Sequence, residues 1–267
     1  MQKIGFIGCG KMAKAIIKGI INKGFVNSES IIATKSSTVN LESVSKELGI
    51  KVILDNKTLV QESDVIFIAV KPTQVESILD EIKEFITQDK LVVSVAAGIT
   101  TKFIEFNLTN GVRVVRVMPN TPVLVGEGMS GISAGSLAKK EDLDYVQTLF
   151  SAIGKTVLID ENQIDIVTAI SGSGPAFYYK VINDIARAGE KLGMDYEKAL
   201  LLSIQTALGS AKMALDRTIS MEELISNVAT KGGCTRVGVD VMEEFRTSEI
   251  FDNVIENTAQ KAKVLGK

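Results

Sequence analysis

Two glycine-rich stretches carry residues whose types and spacing suit chemistry. Near the start, "KIGFIGCGKMAKAI" sets Gly8, Gly10 and Ala13 in the order G-x-G-x-x-A, straight after an apolar run and at the head of a helix-like one. In such a turn the first glycine permits the tight bend, the second lets a pyrophosphate approach the backbone, and the alanine keeps the helix close to the sheet. The chemistry implied is dinucleotide binding; the alternative is a plain strand-to-helix turn, and the preceding strand and following helix favour the first. Near the far end, "ATKGGCTRVG" interrupts a helical pattern with Gly232 and Gly233 and follows them with a thiol, Cys234, and a hydroxyl, Thr235. Adjacent glycines let the backbone bend so that successive N–H groups face one anion.

Further candidates lie where strands end. A carboxylate closing the second strand would bind a ribose 2'-OH and repel a 2'-phosphate. This chain instead has "ATKSS", in which Thr34, Lys35 and Ser36 offer a cation and hydroxyls, so NADPH is favoured and NADH stays open. "AVKP" (Ala69, Val70, Lys71, Pro72) closes the fourth strand and "VAAG", with Ala97, closes the fifth; both belong on the rim where ligands of open α/β sheets bind. "VMPNTP" ends the sixth with Asn120, either a hydrogen-bonding group for a ligand or part of a rigid turn. "SGSGPAFYY" reads as a loop opening a helix with Pro175 in its first turn, with free N–H groups available to a carboxylate or simply an ordinary cap.

Those groups need a frame. Up to Asp160 the chain alternates short β-branched runs ("KIGFIG", "SIIAT", "KVILD", "DVIFIAV", "KLVVSVAA", "VRVVRVM", "GMSGISA", "KTVLID") with amphipathic stretches such as 12–22, 73–86 and 139–153. That pattern predicts an N-terminal Rossmann-type α/β domain, a parallel doubly wound sheet over residues 1–160. Beyond it, residues 161–267 predict an all-α domain with long helices over 174–192 and 196–215. In "YEKALLLSIQTALGSAKMAL" apolar residues surround much of the helix, which fits either a buried oligomer interface or the central helix of a monomeric bundle.

Composition narrows the chemistry. With 30 basic and 32 acidic residues the chain offers no electrostatic footprint for nucleic acid or an anionic membrane, which leaves a small molecule as the expected partner. Histidine is absent, so any mechanism needing imidazole is excluded. The two cysteines, Cys9 and Cys234, sit beside glycines, not at metal-ligand spacing; no metal is expected, and the setting expected is reducing and cytoplasmic. The opening residues lack the length and cleavage site of a secretory signal, and no run reaches the roughly 18 apolar residues of a membrane span.

Taken in order, "GFIGCGKMA", "VKP", "VMPNTP", "SGSGPAF" and "NVATKGGCT" resemble pyrroline-5-carboxylate reductase along essentially the whole chain. In that family a Ser-Pro-Gly-Gly-(small)-Thr segment holds the substrate carboxylate on backbone N–H groups. Carried over, the resemblance makes Thr230, Gly232, Gly233, Cys234 and Thr235 the substrate-binding residues and Thr235 the catalytic one, beside the imine nitrogen. Lys231 departs from the family's proline. The cofactor contacts expected from the motifs and the resemblance are Gly8, Gly10, Lys11, Met12, Thr34, Lys35, Ser36, Asn56, Ala69, Val70, Lys71, Pro72, Ala97, Asn120 and Asn227. The implied reaction is NAD(P)H-dependent reduction of 1-pyrroline-5-carboxylate to L-proline, the last step of proline biosynthesis, by an interlocked homodimer through the helical domain, often built into a decamer, with each site using both subunits. "SGSGPAF" also loosely resembles the entry to the catalytic helix of β-hydroxyacid dehydrogenases, although Lys180 comes about half a turn too late for that family's lysine. A reductase of another imine or of a β-hydroxy acid, or a non-catalytic nucleotide-binding regulator, therefore stays open.

Overall fold

Short runs of Ile, Val and Phe, too apolar to leave either face in water, form the middle of one eight-stranded sheet. The computed structural model describes residues 2–108, 111–216 and 218–265. Its strands are β1 (Ile4–Ile7), β2 (Ile31–Thr34), β3 (Lys51–Ile53), β4 (Val65–Ile68), β5 (Leu91–Ser94), β6 (Arg113–Met118), β7 (Gly128–Ala134) and β8 (Gly154–Leu158). They lie in the order β3-β2-β1-β4-β5-β6-β7-β8, and β1 to β6 are parallel.

Helices cover both faces. On one lie α1 (Lys11–Asn22), α2 (Leu41–Leu48) and α6 (Lys140–Ser151), and on the other α3 (Asn56–Glu62), α4 (Pro72–Ile82) and α5 (Thr101–Leu108). The spacing of apolar residues decides which stripe turns inward: Ala13, Ile16, Ile17 and Ile20 of α1 and Val75, Leu79 and Ile82 of α4 are fully buried. Pro72 opens α4, where its missing N–H costs nothing. On the α1 face Phe6 stacks on Phe67 with ring centroids 4.4 Å apart.

The all-parallel expectation is corrected at one edge. β7 pairs antiparallel with β6, and β8 runs parallel to β7. The link from β6 to β7, 119–127, is shorter than the dozen or so residues a parallel crossover needs, so the chain folds straight back; α6 then provides a full crossover to β8. Residues 161–173 remain with the sheet. Glu161 accepts from the Thr101 N–H (2.7 Å), the Thr101 hydroxyl (2.5 Å) and the buried Arg116 guanidinium (3.1 Å). Without that carboxylate Arg116 would be a buried cation with no counter-charge.

The segment read as a glycine-rich loop is helical instead. α7 (Ile164–Val167) runs into a π turn over Thr168–Gly172, where the Ser173 N–H donates to the Thr168 carbonyl at 2.8 Å, and α8 (Gly174–Lys191) follows with Pro175 in its first turn. Gly172 packs close to Met118, where a Cβ would lie 2.9 Å from the methionine methyl.

By contacts the chain divides into two compact units, Met1–Ser173 with Thr258–Lys267, and Gly174–Asn257. The second comprises most of α8, α9 (Tyr196–Asp216), α10 (Met221–Val228), α11 (Cys234–Glu244) and the first half of α12 (Thr247–Leu265). α8 and α9 approach closely because the facing residues are small: Ala186 and Ala199 are buried, and the Ser203 hydroxyl donates to the Ile182 carbonyl at 2.9 Å. The larger apolar residues of α9 face outward, with Leu201 67% and Met213 66% exposed. A central helix of a monomeric bundle would have them covered, so within the protomer α9 is not one.

Candidate functional site

The reversal of strand order between β1 and β4 opens a crevice at their carboxyl ends, the place where open α/β sheets bind ligands. Gly8 leaves β1 with φ of 91°, and a Cβ there would stand 2.7 Å from the Ala69 carbonyl oxygen. Both the conformation and the space require glycine. Gly10 differs: it is the N-cap of α1 with ordinary extended backbone, and a Cβ on it would meet nothing within 4 Å. α1 has no side-chain cap and no acidic residue in its first turn, so its leading N–H groups are left for an anion. Ala13 is fully buried and seats the helix on the sheet.

An open cleft of about 310 Å³ lies here, lined by Gly8, Gly10, Thr34, Lys35, Ser36, Asn56, Ala69, Val70 and Lys71, together with Ile7, Cys9, Leu54, Gln74 and Ile78. Its floor is polar and ordered. The Gly8 N–H donates to Thr34 Oγ1 (3.3 Å), the Thr34 hydroxyl to Asn56 Oδ1 (2.7 Å), and Asn56 Nδ2 to Glu81 Oε2 (2.9 Å). Lys35 Nζ donates to the Val39 carbonyl at 2.6 Å, and the loop from Lys35 to Asn40 contains no carboxylate. Burial pushes the Cys9 thiol up, against the opposing pull of Lys14 and Lys35, so it stays protonated and serves as a small lining residue. Uncapped helix donors, a glycine with open space before it, and hydroxyls without an acid at the end of β2 together fit a dinucleotide.

The remaining expected cofactor residues lie apart from this lining. Lys11 is exposed at the start of α1 and borders a different groove, with Lys14 and Lys18. Met12 packs against the core, Pro72 starts α4, and Ala97 is half-buried after β5. Asn120 is buried, with its amide donating to the Ser171 carbonyl (3.2 Å) and accepting from the Met129 N–H (2.9 Å), so it ties β6, β7 and the π turn together. Asn227 is exposed on α10 in the second unit. Sequence reasoning missed Leu54, Gln74 and Ile78. The signal for the last two was their spacing on α4, one turn apart on the side that follows Lys71.

The second glycine-rich stretch joins α10 to α11. Ser220 caps α10 by accepting the Glu223 N–H at 3.1 Å, and the helix stops at Ala229. The Gly233 N–H then donates back to the Thr230 carbonyl at 3.0 Å with Gly232 at φ of 79°, which is the pattern of a type II turn. Proline is favoured at the second position of such a turn, where Lys231 stands, so the turn forms here without it. A Cβ on Gly233 would lie 3.0 Å from the Thr230 hydroxyl. Gly233 is the N-cap of α11, which has no side-chain cap and no acid in its first turn. The N–H groups of Cys234 and Thr235 thus lead an uncapped helix beside exposed hydroxyls of Thr230 and Thr235, an arrangement able to hold a carboxylate and hydrogen-bond a neighbouring polar atom. Lys180, on α8, pairs with Asp184 at 2.5 Å. Among the described residues no group of three or more Cys, Asp or Glu is placed to hold a metal ion, and no helix is long and apolar enough to cross a membrane.

A family model described as pyrroline-5-carboxylate reductase dimerisation matches residues 161–265, and one described as coenzyme F420-dependent NADP oxidoreductase matches residues 3–98. The chain is 43% identical over 266 residues to the pyrroline-5-carboxylate reductase of Methanosarcina acetivorans, covering 100% of this chain and 98% of that one. Its structure is similar to that of a pyrroline-5-carboxylate reductase from Coxiella burnetii, with a TM-score of 0.94, 34% identity and coverage of 100% and 99% of the two chains. It is also similar to pyrroline carboxylate reductase from Plasmodium falciparum with NADP bound, with a TM-score of 0.87, 32% identity and coverage of 100% and 98%.

Proposed function

The chain belongs to the pyrroline-5-carboxylate reductase family, and on that premise we propose that it reduces 1-pyrroline-5-carboxylate to L-proline with NADPH as the preferred donor. What carries the reading is the presence of two uncapped helix starts, each behind a pair of glycines, in a chain similar along its whole length to those reductases. The Gly8–Ala13 turn holds the dinucleotide, and the Thr230–Thr235 turn holds the imine acid. When bound, the reduced nicotinamide supplies the hydride that the imine carbon takes.

The protein's own contribution is positioning and electrostatics. An imine nitrogen is basic enough to enter as the iminium, already electrophilic, so the reaction runs without the histidine that the chain lacks. The Cys234 and Thr235 N–H groups and the Thr230 hydroxyl fix the carboxylate, and the Thr235 hydroxyl aligns the ring nitrogen. Asn227 acts at the nicotinamide, and Asn120 orders the backbone it bridges. Lys35 and Ser36, free of any neighbouring carboxylate on their loop, receive the 2'-phosphate.

The assay is direct: purified protein oxidises NADPH faster than NADH, and only when 1-pyrroline-5-carboxylate is added. Cofactor binding without imine-dependent oxidation would overturn the substrate assignment, and faster turnover with NADH would overturn the cofactor preference.

The helical unit over Gly174–Asn257 acts in substrate binding and oligomerisation, and the working unit is a homodimer through its helices, with a decamer as the higher assembly. Outward-facing Leu201, Leu202, Leu208 and Met213 on α9 and Tyr178 and Ile185 on α8 are the surface a second copy would cover. Native mass measurement should return two chains or a higher even number; a monomer that still turns over would defeat the shared assembly. Both cysteines are free of disulfides, in keeping with a cytoplasmic enzyme.

A further inference from the structure

The hydrogen-bonded floor of the cofactor cleft has two ends of fixed polarity. At one end stands the Gly8 N–H, which only donates; at the other stands the Glu81 carboxylate, which only accepts. Everything between must follow. Glu81 draws Asn56 Nδ2 toward itself, which leaves Oδ1 to accept the Thr34 hydroxyl proton, while a lone pair of Thr34 Oγ1 receives the Gly8 N–H. An amide whose oxygen and nitrogen would otherwise be interchangeable is thereby held one way round.

Nδ2 carries two hydrogens, and Glu81 takes one of them. Asn56 lines the cleft, whereas Glu81 stands behind it on α4 and is not part of the lining. We propose that Glu81 is a positioning residue for the dinucleotide: by accepting from Asn56 it keeps an N–H, and never a carbonyl, facing the ligand. The group so recognised is an acceptor-rich one, a ribose hydroxyl or phosphate oxygen of the adenosine half. The assignment rests on the reading of this cleft as the dinucleotide site. Its residue was invisible in the sequence, since Glu81 lies 25 positions from Asn56 within "DEIKE", a run that reads as a solvated helix face.

Removing the acceptor frees the amide to turn. Glu81→Ala, on a helix surface where alanine is well tolerated, should weaken both NADPH and NADH about ten-fold, with kcat at saturating cofactor changed by less than about two-fold. Glu81→Gln keeps an acceptor but not its fixed polarity and should fall between the two. The decisive readout is a double-mutant cycle: in an Asn56→Ala background, Glu81→Ala should cost nothing further. Dinucleotide binding, followed by titration of nicotinamide fluorescence, separates the outcomes. Wild type that binds neither dinucleotide overturns the cofactor reading and this assignment together. Wild-type binding with Glu81→Ala unchanged, additive losses in the cycle, or NADPH alone bound more tightly by Glu81→Ala would each overturn the assignment and leave the cofactor reading standing.

Discussion

Gly10→Asp is expected to leave the melting temperature unchanged or slightly raised while weakening NADPH binding by about 10²-fold or more, roughly 2.7 kcal/mol or above. The two effects separate because the glycines of one motif are there for different reasons. At Gly10 the backbone conformation is open to any residue and a Cβ meets nothing within 4 Å, so the protein alone has no need of glycine. Aspartate is a better N-cap, worth a few tenths of a kcal/mol over glycine, and its charge suits the positive end of α1. It also occupies the donors and the space that a pyrophosphate would use, with the same sign of charge. Gly8→Ala behaves differently. It forces an L residue to φ of 91° and drives a methyl to 2.7 Å from the Ala69 carbonyl oxygen, so stability and binding fall together, stability by about 2–4 kcal/mol. Thermal melts and fluorescence titration of the two variants read both quantities. If Gly10→Asp binds NADPH like the wild type, the anion does not sit on this helix end.

How much of this was legible beforehand depended on whether the signal was local. Each strand announces itself as a short β-branched run, and α4 shows its buried face in the spacing of Val75, Leu79 and Ile82. Strand direction carries no such mark. "GMSGISA" reads as a strand either way round, and only the short link from Met118 decides that β7 turns back. Glycine and serine in "SGSGPAF" read as loop because both residues disfavour helix interiors; packing against Met118 and the bond from Asn120 to Ser171 hold that segment helical. The same tertiary bonds explain Asn120, a polar residue at a strand end whose amide nitrogen and oxygen each bond to backbone.

The site residues divide along the same line. Gly8, Thr34, Lys35 and Lys71 were legible because strand ends must converge on the switch point between β1 and β4. Gln74 and Ile78 carried a signal only in their one-turn spacing behind Lys71, and Leu54, just past the end of β3, carried none. The turn at Gly232 and Gly233 could be read from glycine alone, but that it survives with Lys231 in place of proline follows from the Gly233-to-Thr230 bond.

Thr235→Ala is expected to lower kcat/KM for 1-pyrroline-5-carboxylate by about 10²–10³-fold, roughly 2.7–4 kcal/mol, the scale of losing one donor aimed at a reacting group. The fold should not notice. Thr235 is exposed in the first turn of α11, whose cap uses no side chain, and alanine is a good helix former there. Dissociation of NADPH should also be unchanged, because the residue belongs to the imine-acid turn and not to the Gly8–Ala13 cleft. Thr235→Ser, which keeps the hydroxyl and loses a methyl, should retain most of the activity. That pairing isolates the hydroxyl from the bulk of the side chain. If both variants fell equally, the methyl and its packing would be the working part; if neither fell, the backbone N–H groups beside Gly232 and Gly233 would carry the substrate alone. A histidine-free chain has no imidazole to take over proton handling, so a large loss in alanine with recovery in serine would locate the alignment of the imine nitrogen at this one hydroxyl.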